Sequence, residues 1–463
     1  MAGLRLGAVY AAVTLQIAKV INEEVPKPYM DEIFHVPQAQ AYCSGNWQAW
    51  DPKLTTPPGL YILSTATHHL TRLTCSTAFL RSHNVALACA MPFLMYRIMR
   101  LLRIRRTWDK SRAKQRTEEP TEPLEAITLA LFPPLYFFAF LYYTDMLSTA
   151  LMLGAYERSL SRQQALAALL GLASVSLRQT NIVWVAYIAG CALVHDLERR
   201  DLESIPLESA TLSRMPTILV DLVSTCLRRP ATVAKLAGPF VPVFALFIAF
   251  VRYNGGIVLG DKANHVVMFH LPQLLYFSAF TAAFNAPLLI VPVLHFRPSR
   301  AALLLAPLAC VSMLVVVRYL TYEHLFMLSD NRHYVFYVWQ RIYQAHPLAR
   351  YIMVLVYLPA AVLVHQISAA AQTWSALSYT IWLLATTLAL VPTPLIEPRY
   401  YILPFLVYRL HLSRPQTATR RQWQLCLLFE TASYVGINAL TLYVFLYKPF
   451  KWPSESGLQR FMF

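Results

Sequence analysis

The sequence predicts an all-α membrane protein that crosses the bilayer many times, and three observations support this prediction. Hydrophobic residues make up 57% of the 463 residues. Only 14% are charged, whereas about a quarter of the residues of a soluble domain usually are. The apolar residues come in long runs, and a membrane helix needs about 20 such residues. Together with a mean hydropathy of +0.43, these features argue against a soluble protein with an oversized core.

The net charge of +16 does not indicate a nucleic-acid partner. The sequence contains no motif that alternates aromatic and basic residues, and in a membrane protein an excess of Lys and Arg usually marks cytoplasmic loops. The seven cysteines are scattered without zinc spacing, so most are expected to be buried thiols. Cys43 and Cys75 fall in the same predicted loop and could form a disulfide.

The first elements set the predicted orientation. An uncleaved span over residues 1–21 has its N-terminus in the cytoplasm, so the loop 22–81 lies on the opposite side. The run from Pro57 to Leu73 is too short and polar to span, and we expect an interfacial helix there. The next span, residues 84–102, ends in a loop with nine Lys or Arg against one acid between Arg97 and Arg116, which is typical of a cytoplasmic loop.

The remaining residues, 82–463, alternate across the membrane as part of a single domain (1–463) with about 13 spans. One ambiguity affects the side of a later motif. If the short aromatic run Tyr334–Tyr343 lies in the interface, then Glu397–Tyr400 faces the same side as the first loop, and if it spans, that motif is cytoplasmic. The first version is favoured because it places the basic tract from Arg409 to Arg421 in the cytoplasm.

The first loop carries the most unusual residues of the chain. Between Pro28 and Tyr61 it is polar, aromatic and rich in proline. Charged groups near a bilayer are costly, so a functional role is the default hypothesis for them. The candidates in this loop are Asp31, Glu32, His35, Asp51 and Lys53.

Several motifs resemble the eukaryotic family of dolichyl-phosphate-glucose-dependent alpha-1,2-glucosyltransferases. They are MDEIFHVPQAQ, GNW, WDPKLTTPPGLY, LRQTN, DNRHYVFY and EPRYYILPF, and the resemblance reaches the C-terminal RFMF. The resemblance implies a GT-C fold in the endoplasmic reticulum membrane, with a lumenal active site in loop 22–81. It also implies transfer of glucose from dolichyl phosphate glucose to a dolichyl-diphosphate-linked oligosaccharide, as the terminal step before protein N-glycosylation.

This chemistry needs a base for the attacking hydroxyl, and Asp31 is the candidate. Glu32 has a supporting role, and His35 lies four residues after Asp31, on the same helical face, where it could orient the carboxylate. The alternative is that Asp31 caps the following helix. Asp51 and Lys53 are candidates for the acceptor sugar, with Trp47 and Trp50 as stacking faces. Alternatively Asp51 forms a turn, and the tryptophans are interface anchors.

The departing phosphate needs cations, and Arg332, His333 and Arg399 are the first candidates. The second candidates are Arg178, Lys262, His265 and His270. Their alternative role is that of ordinary charges at the membrane interface. Because a single phosphate can be neutralised by protein cations, no metal or other cofactor is expected. One displacement converts a beta-linked donor into an alpha-linked product, so the reaction inverts the configuration.

Two other functions remain open from the residues alone. A transporter or channel subunit would place its charges near the middle of the membrane and show inverted repeats, but here the charges cluster at span ends and no repeat is found. Another GT-C transferase, using dolichyl phosphate mannose, fits the same residue chemistry, and only the family resemblance separates it from the glucose enzyme.

Overall fold

The computed structural model describes residues 2–107, 121–262, 266–295, 300–371, 373–453, 455 and 457–463. These residues form α-helices, short 3₁₀ turns, one π-helical turn and one two-stranded sheet, which confirms the all-α class. The chain divides into two compact units. The first comprises Met1–His265 with Ser375–Ala385, and the second comprises Val266–Trp374 with Thr386–Phe463.

Twelve helices of the first unit precede its boundary, numbered in chain order. They are α1 (Ala2–Glu24), α2 (Glu32–Cys43), α3 (Gly59–Thr71), α4 (Thr77–Thr107), α5 (Glu122–Ala130), α6 (Pro133–Phe138), α7 (Thr144–Leu160), α8 (Gln164–Val175), α9 (Ile182–Arg200), α10 (Met215–Arg228), α11 (Pro230–Ala237) and α12 (Val241–Asn254). The long α4 packs against both α5 and α7, and α7 packs along α8. This arrangement brings the start of α4 and the start of α7 next to α2.

The second unit contains further helices and the only strands of the described residues. Its elements are α13 (Pro272–Phe284), α14 (Ala286–His295), α15 (Arg300–Leu320), α16 (Leu325–Ser329), α17 (Tyr334–Val338), α18 (Ala349–Ile352), α19 (Val354–Ala371), α21 (Ile402–Leu410), α22 (Arg420–Tyr447), β1 (Phe450–Lys451) and β2 (Leu458–Gln459). Helix α20 (Ala376–Leu390) crosses the unit boundary at Ala385. Helix α22 begins with a capping box, in which Thr419 and Gln422 satisfy each other's backbone N–H groups.

Among the described residues, seven helical segments are long and apolar enough to cross a membrane. They are Gly3–Glu24, Thr77–Ile104, Gln179–Arg200, Pro230–Asn254, Ala302–Leu320, Ala349–Ala371 and Arg420–Tyr447. A further pair, α13 and α14, is bent by 92° and would be an eighth if it counts as one span. The protein is therefore a multi-pass membrane protein, but the expected number of about 13 spans is not confirmed.

The sequence predicts three spans between residues 124 and 177, over 124–143, 146–159 and 165–177. This region forms α5, α6, α7 and α8, none of which reaches 18 residues. All six residues of α6 are buried inside the protein. An apolar run suits a protein interior as well as it suits lipid, so composition alone does not distinguish an internal helix from a span here. The expected interfacial helix, α3, has 13 residues and is also too short to span.

Cys43 and Cys75 form a disulfide, as the shared loop suggested. It joins the end of α2 to the segment before α4, across 32 positions of the sequence. The bond closes the loop that carries α3 and the polar residues between Cys43 and Gly59. The other five cysteines are not part of a disulfide.

Replacing both Cys43 and Cys75 by serine should lower the free energy of unfolding by about 2–4 kcal/mol, because the open loop gains conformational freedom in the unfolded chain. The measurement is the melting temperature of the purified protein in detergent. The double variant Cys226→Ser/Cys310→Ser removes two free thiols and serves as the control. Equal melting temperatures for the two double variants would contradict the prediction.

Candidate active site

Asp31 lies where α2 begins, directly after a turn with unusual backbone geometry. Met30 has a φ of +54°, a left-handed conformation that residues other than glycine rarely adopt. The Asp31 N–H donates a hydrogen bond of 3.0 Å to the Tyr143 hydroxyl. Asp31 occupies the N-cap position, yet its side chain makes no capping hydrogen bond. This favours a chemical role for the half-buried carboxylate over a capping role, and its assignment as the base stays a prediction.

Glu32, the first residue of α2, is fully buried, and its carboxylate forms hydrogen bonds with residues on separate segments of the chain. Arg81 donates to both of its carboxylate oxygens, with Nε at 2.8 Å from Oε1. The same carboxylate accepts the backbone N–H of Tyr29 at 3.1 Å and that of Tyr142 at 2.6 Å. Tyr29 precedes the left-handed turn, and Tyr142 precedes Tyr143. One carboxylate therefore holds both sides of the turn that presents Asp31.

Helix α4 supplies two anchors for this arrangement. Arg81 also donates to the side chain of Asn22 and to the carbonyls of Val25 and Lys27, which lie in the segment leading from α1 to α2. Asn84, one turn further along α4, donates from Nδ2 to the carbonyls of Leu141 and Tyr143, each at 2.8 Å. We call Glu32, Arg81, Asn84 and Tyr143 the Glu32 network.

His35 is buried on the same side of α2 as the Asp31 turn. Its Nδ1 shares a hydrogen bond of 2.6 Å with the Tyr61 hydroxyl, and its ring meets that of Tyr143 edge-on at 6.0 Å between centroids. The His35 N–H donates to the Asp31 carbonyl at 3.1 Å, as expected for residues four apart in a helix. The structure thus places the imidazole beside the turn, and its role toward the Asp31 carboxylate stays a prediction.

The structure adds an ion pair that sequence reasoning did not single out as a site. Asp145 is 1% exposed, and its Oδ1 lies 3.1 Å from Nη2 of Arg178. Arg178 also donates from Nε to the Thr144 hydroxyl at 3.2 Å. Thr144 and Asp145 directly follow Tyr143, so the pair brings a guanidinium to the segment that contacts Asp31. The available signal for Asp145 was its position at the end of an apolar run. Its partner Arg178 belongs to a different motif, LRQTN.

The acceptor candidates lie in the loop between α2 and α3. Asp51 accepts the Lys53 N–H at 2.9 Å, the local bond by which aspartate forms a turn. The Lys53 ammonium lies 5.2 Å from the centre of the Phe34 ring. Trp47 is 54% exposed, whereas Trp50 is partly buried. Asp51 therefore has a structural use, while the exposed indole of Trp47 is free to contact a sugar or the membrane interface.

Lys262 lies in a loop that packs against this acceptor loop. The Asp261 N–H donates to the Pro52 carbonyl at 3.2 Å. A Cβ atom at Gly260 would lie 2.2 Å from the same carbonyl oxygen, so only glycine allows this close approach. Lys262 is exposed and donates to the Asn254 carbonyl. The structure therefore groups Lys262 with the acceptor loop within the first unit.

In the second unit, Arg332 and His333 both contact Asp330. Arg332 donates to the two Asp330 oxygens at 2.8 Å each, and its Nη1 donates to Glu455 at 3.1 Å and to Gln459 at 2.8 Å. His333 Nε2 lies 3.7 Å from Oδ2 of Asp330. Two of the predicted phosphate ligands are thus held together, with Arg332 already engaged by two carboxylates.

The other predicted phosphate ligands of this unit are Arg399 and His270. Arg399 pairs with Glu397 at 2.7 Å. His270 is fully buried, and burial lowers the pKa of its imidazole to about 4, against the opposing effect of the Thr393 and Pro394 carbonyls. His270 is therefore neutral at physiological pH, and a neutral imidazole offers a phosphate one N–H and no charge.

The two basic motifs of the second unit border one hydrophobic cluster. Leu328 and Val335 flank DNRHY, Leu395 and Ile396 precede EPRY, and all four pack against the same buried residues. This common packing is consistent with the expectation that both motifs serve one site. His265, a further candidate, lies outside the described residues.

A protein-family model described as the DIE2/ALG10 family matches residues 25–410. The chain belongs to the DIE2/ALG10 family. This confirms the resemblance carried by the MDEIFHVPQAQ and EPRYYILPF motifs, both of which lie in the matched range. The segment after residue 410 lies beyond the family model.

Curated relatives extend the DIE2/ALG10 similarity over the full length. A protein of Arabidopsis thaliana is 34% identical over 100% of both chains. A protein of Rattus norvegicus is 35% identical and one of Homo sapiens is 33% identical. Each of these two matches covers 97% of this chain and 96% of the relative. Each is named Dol-P-Glc:Glc(2)Man(9)GlcNAc(2)-PP-Dol alpha-1,2-glucosyltransferase. No solved structure matches this chain.

Among the described residues, no group of three or more His, Cys, Asp or Glu side chains is arranged to hold a metal ion. The absence of a metal from the reaction stays a proposal.

Proposed function

We infer that this chain transfers glucose from dolichyl phosphate glucose to the dolichyl-diphosphate-linked Glc(2)Man(9)GlcNAc(2) oligosaccharide and forms an alpha-1,2 linkage. The observation that carries this inference is the full-length similarity to relatives named for that reaction. The mannose-donor and transporter alternatives are not favoured, because these relatives are glucosyltransferases.

In the proposed mechanism the Asp31 carboxylate takes the proton of the acceptor hydroxyl as its oxygen attacks C1 of the donor glucose. The new C1–O bond forms as the bond from C1 to the phosphate oxygen breaks, and dolichyl phosphate leaves with the electron pair. One displacement inverts the configuration at C1. Because phosphate is a good leaving group, no second carboxylic acid is needed, unlike in most glycosidases. The Glu32 network supports this role, since it fixes the turn that presents Asp31.

The negative charge on the departing phosphate is stabilised by protein cations, which is usually the larger contribution to catalysis. We propose this role for His333 of DNRHY and Arg399 of EPRY, whose side chains are partly exposed. The Arg332 side chain of DNRHY is only 11% exposed and already pairs with Asp330 and Glu455. The Arg178 side chain is 19% exposed beside the Asp31 segment and is a further source of positive charge. Lys262 lies nearer to the acceptor loop.

We propose that loop 22–81 faces the lumen of the endoplasmic reticulum and that the N-terminus is cytoplasmic. The disulfide between Cys43 and Cys75 supports this orientation, because disulfides persist in oxidising compartments such as the lumen and are rare in the cytosol. The first candidate span, Gly3–Glu24, directly precedes this loop.

The test is a defined assay with the purified full-length protein in lipid nanodiscs. The diglucosylated acceptor is supplied with either dolichyl phosphate glucose or dolichyl phosphate mannose, and the product is analysed by mass spectrometry and by digestion with an alpha-1,2-specific glucosidase. Product is expected with the glucose donor alone. Transfer of mannose, or a product that resists the glucosidase, would overturn the proposal.

Treatment with EDTA should leave the rate of transfer unchanged, because protein cations are proposed to neutralise the single phosphate. The measurement is the initial rate with and without the chelator, with a metal-dependent nucleotide-sugar transferase as a positive control for chelation. A loss of activity that Mn²⁺ or Mg²⁺ restores would refute this metal-free mechanism.

A further inference from the structure

The C-terminal segment, defined here as residues 450–453, 455 and 457–463, packs onto the turn formed by residues 330–334. Strands β1 and β2 form an antiparallel pair within this segment. After β2, the Met462 N–H donates to the Arg332 carbonyl at 2.8 Å, and Met462 forms a parallel bridge with His333. The backbone of the segment is thus bonded directly to the predicted phosphate-binding motif.

Side chains reinforce this backbone contact. The rings of Phe461 and Phe463 lie 4.6 Å and 5.0 Å from the ring of Tyr334. Met462 and Phe463 are 1% and 8% exposed, so their apolar surfaces are removed from solvent. Arg460 donates from Nη1 to the last carbonyls of α22, those of Phe445 and Leu446, at 2.7 Å each. The segment is therefore held at the helix end and at the turn.

The Arg332 side chain connects the Asp330–Tyr334 turn to the C-terminal segment. Its guanidinium bonds Asp330 on one side and Glu455 and Gln459 on the other, and it lies over the Trp452 ring at 5.3 Å. Its side chain is only 11% exposed. A phosphate would have to displace a carboxylate to gain the paired hydrogen bonds by which arginine grips it.

The same contacts determine the pKa of Asp330 and the orientation of the His333 ring. Burial raises the pKa of Asp330, but the bonds from Arg332 and the nearby His333 outweigh it and hold this pKa below its usual value. The His333 Nδ1 bonds the main-chain oxygen of Phe463 at 2.7 Å. Since that oxygen accepts the hydrogen bond, Nδ1 is the donor, and Nε2 lies on the side of the ring that faces Asp330.

We propose that Arg332 is a positioning residue that holds the C-terminal segment, and that this segment orients the His333 imidazole toward the phosphate of the lipid donor. The proposal rests on the proposed function, because it assigns the Asp330–Tyr334 turn to the donor site. It deepens that function by adding residues after position 410, the end of the range that the family model matches, to the donor site, and by giving Arg332 an indirect role there.

The first test compares Gln459→Ala and Phe461→Ala with wild type in the nanodisc assay. Each variant should raise the KM for dolichyl phosphate glucose about tenfold, the effect of losing one hydrogen bond to a charged group or an equivalent packing contact. The KM for the acceptor should not change. The control is Tyr447→Ala, which removes a half-exposed aromatic ring just before the segment. An unchanged donor KM in both variants would overturn the proposal.

The second test asks whether Arg332 acts through the segment. If it does, the double variant Arg332→Ala/Gln459→Ala should have the same donor KM as Arg332→Ala alone, because both changes break one connected set of contacts. Multiplied effects would mean that Arg332 contacts the phosphate directly, and the positioning role would be wrong.

A third measurement does not depend on activity. Hydrogen exchange of the amides in residues 331–338 should be faster in Gln459→Ala than in Tyr447→Ala, with no substrate present. Equal exchange would overturn the holding role. If instead the wild type fails to use dolichyl phosphate glucose, the proposed function fails while the exchange result still decides whether the segment holds the turn.

Discussion

Replacing Asp31 by asparagine should lower the rate of glucose transfer about 10²- to 10⁴-fold, the usual contribution of a positioned base. Asparagine keeps the shape of aspartate and cannot take a proton at neutral pH. The side chain makes no capping hydrogen bond, so the substitution removes no helix cap. The Asp31 N–H bond to Tyr143 involves the backbone and is retained. The measurement is the initial rate of the purified variant in nanodiscs at saturating donor and acceptor.

The control for this prediction is Asp201→Asn. Asp201 pairs with Arg229 at 2.6 Å, and the arginine is 57% exposed. Exposed ion pairs contribute little to stability, so the control should keep wild-type activity and yield. Wild-type activity of Asp31→Asn at normal yield would remove the assignment of Asp31 as the base. Loss of folded protein in Asp31→Asn alone would instead assign it a structural role.

The relations between candidate site residues that the sequence predicts are local ones. Asp31, Glu32 and His35 lie close together in the sequence. The 3.6-residue period of a helix therefore predicts which of their side chains share a face. The first loop was also recognisable, because acids, histidines and tryptophans interrupt an otherwise apolar chain. Cys43 and Cys75 fall in the same predicted loop, which suggested that they could form a disulfide, and the structure confirms this bond.

The partners of these residues could not be predicted, because they are distant in sequence. Arg81 is 49 positions from Glu32, and Tyr143 is 112 positions from Asp31. Hydropathy assigns such residues to span ends and says nothing about which of them meet. Asp145 was passed over for the same reason, since its partner Arg178 lies on another connection.

The charges of the second unit illustrate a related limit of sequence patterns. DNRHY identifies an arginine and a histidine that suit a phosphate, but a sequence does not tell whether a guanidinium is already paired. In the structure, Glu455 and Gln459 engage Arg332 from more than 120 positions away. The same distinction between a group and its environment applies to the apolar runs, since buried helices such as α6 have the composition of membrane helices.

The second large effect is expected from Glu32→Gln, which should destabilise the protein by about 3–5 kcal/mol. The Glu32–Arg81 pair is 0% exposed on both sides, and loss of one charge leaves the other buried without compensation. The substitution also weakens the acceptors for the N–H groups of Tyr29 and Tyr142, which hold the turn before Asp31. The melting temperature should therefore fall, and the rate per folded molecule should fall as well.

The second unit provides a matched control for this prediction, because Arg409 and Glu430 form another ion pair that is 0% exposed on both sides. Glu430→Gln should lower the melting temperature by a similar amount, since the electrostatic cost is the same. Its folded molecules should retain kcat, whereas those of Glu32→Gln should lose it, since only Glu32 holds the segment that presents Asp31. Equal kcat values for the two variants, each measured well below its melting temperature, would mean that the Glu32 network stabilises the fold without positioning the base.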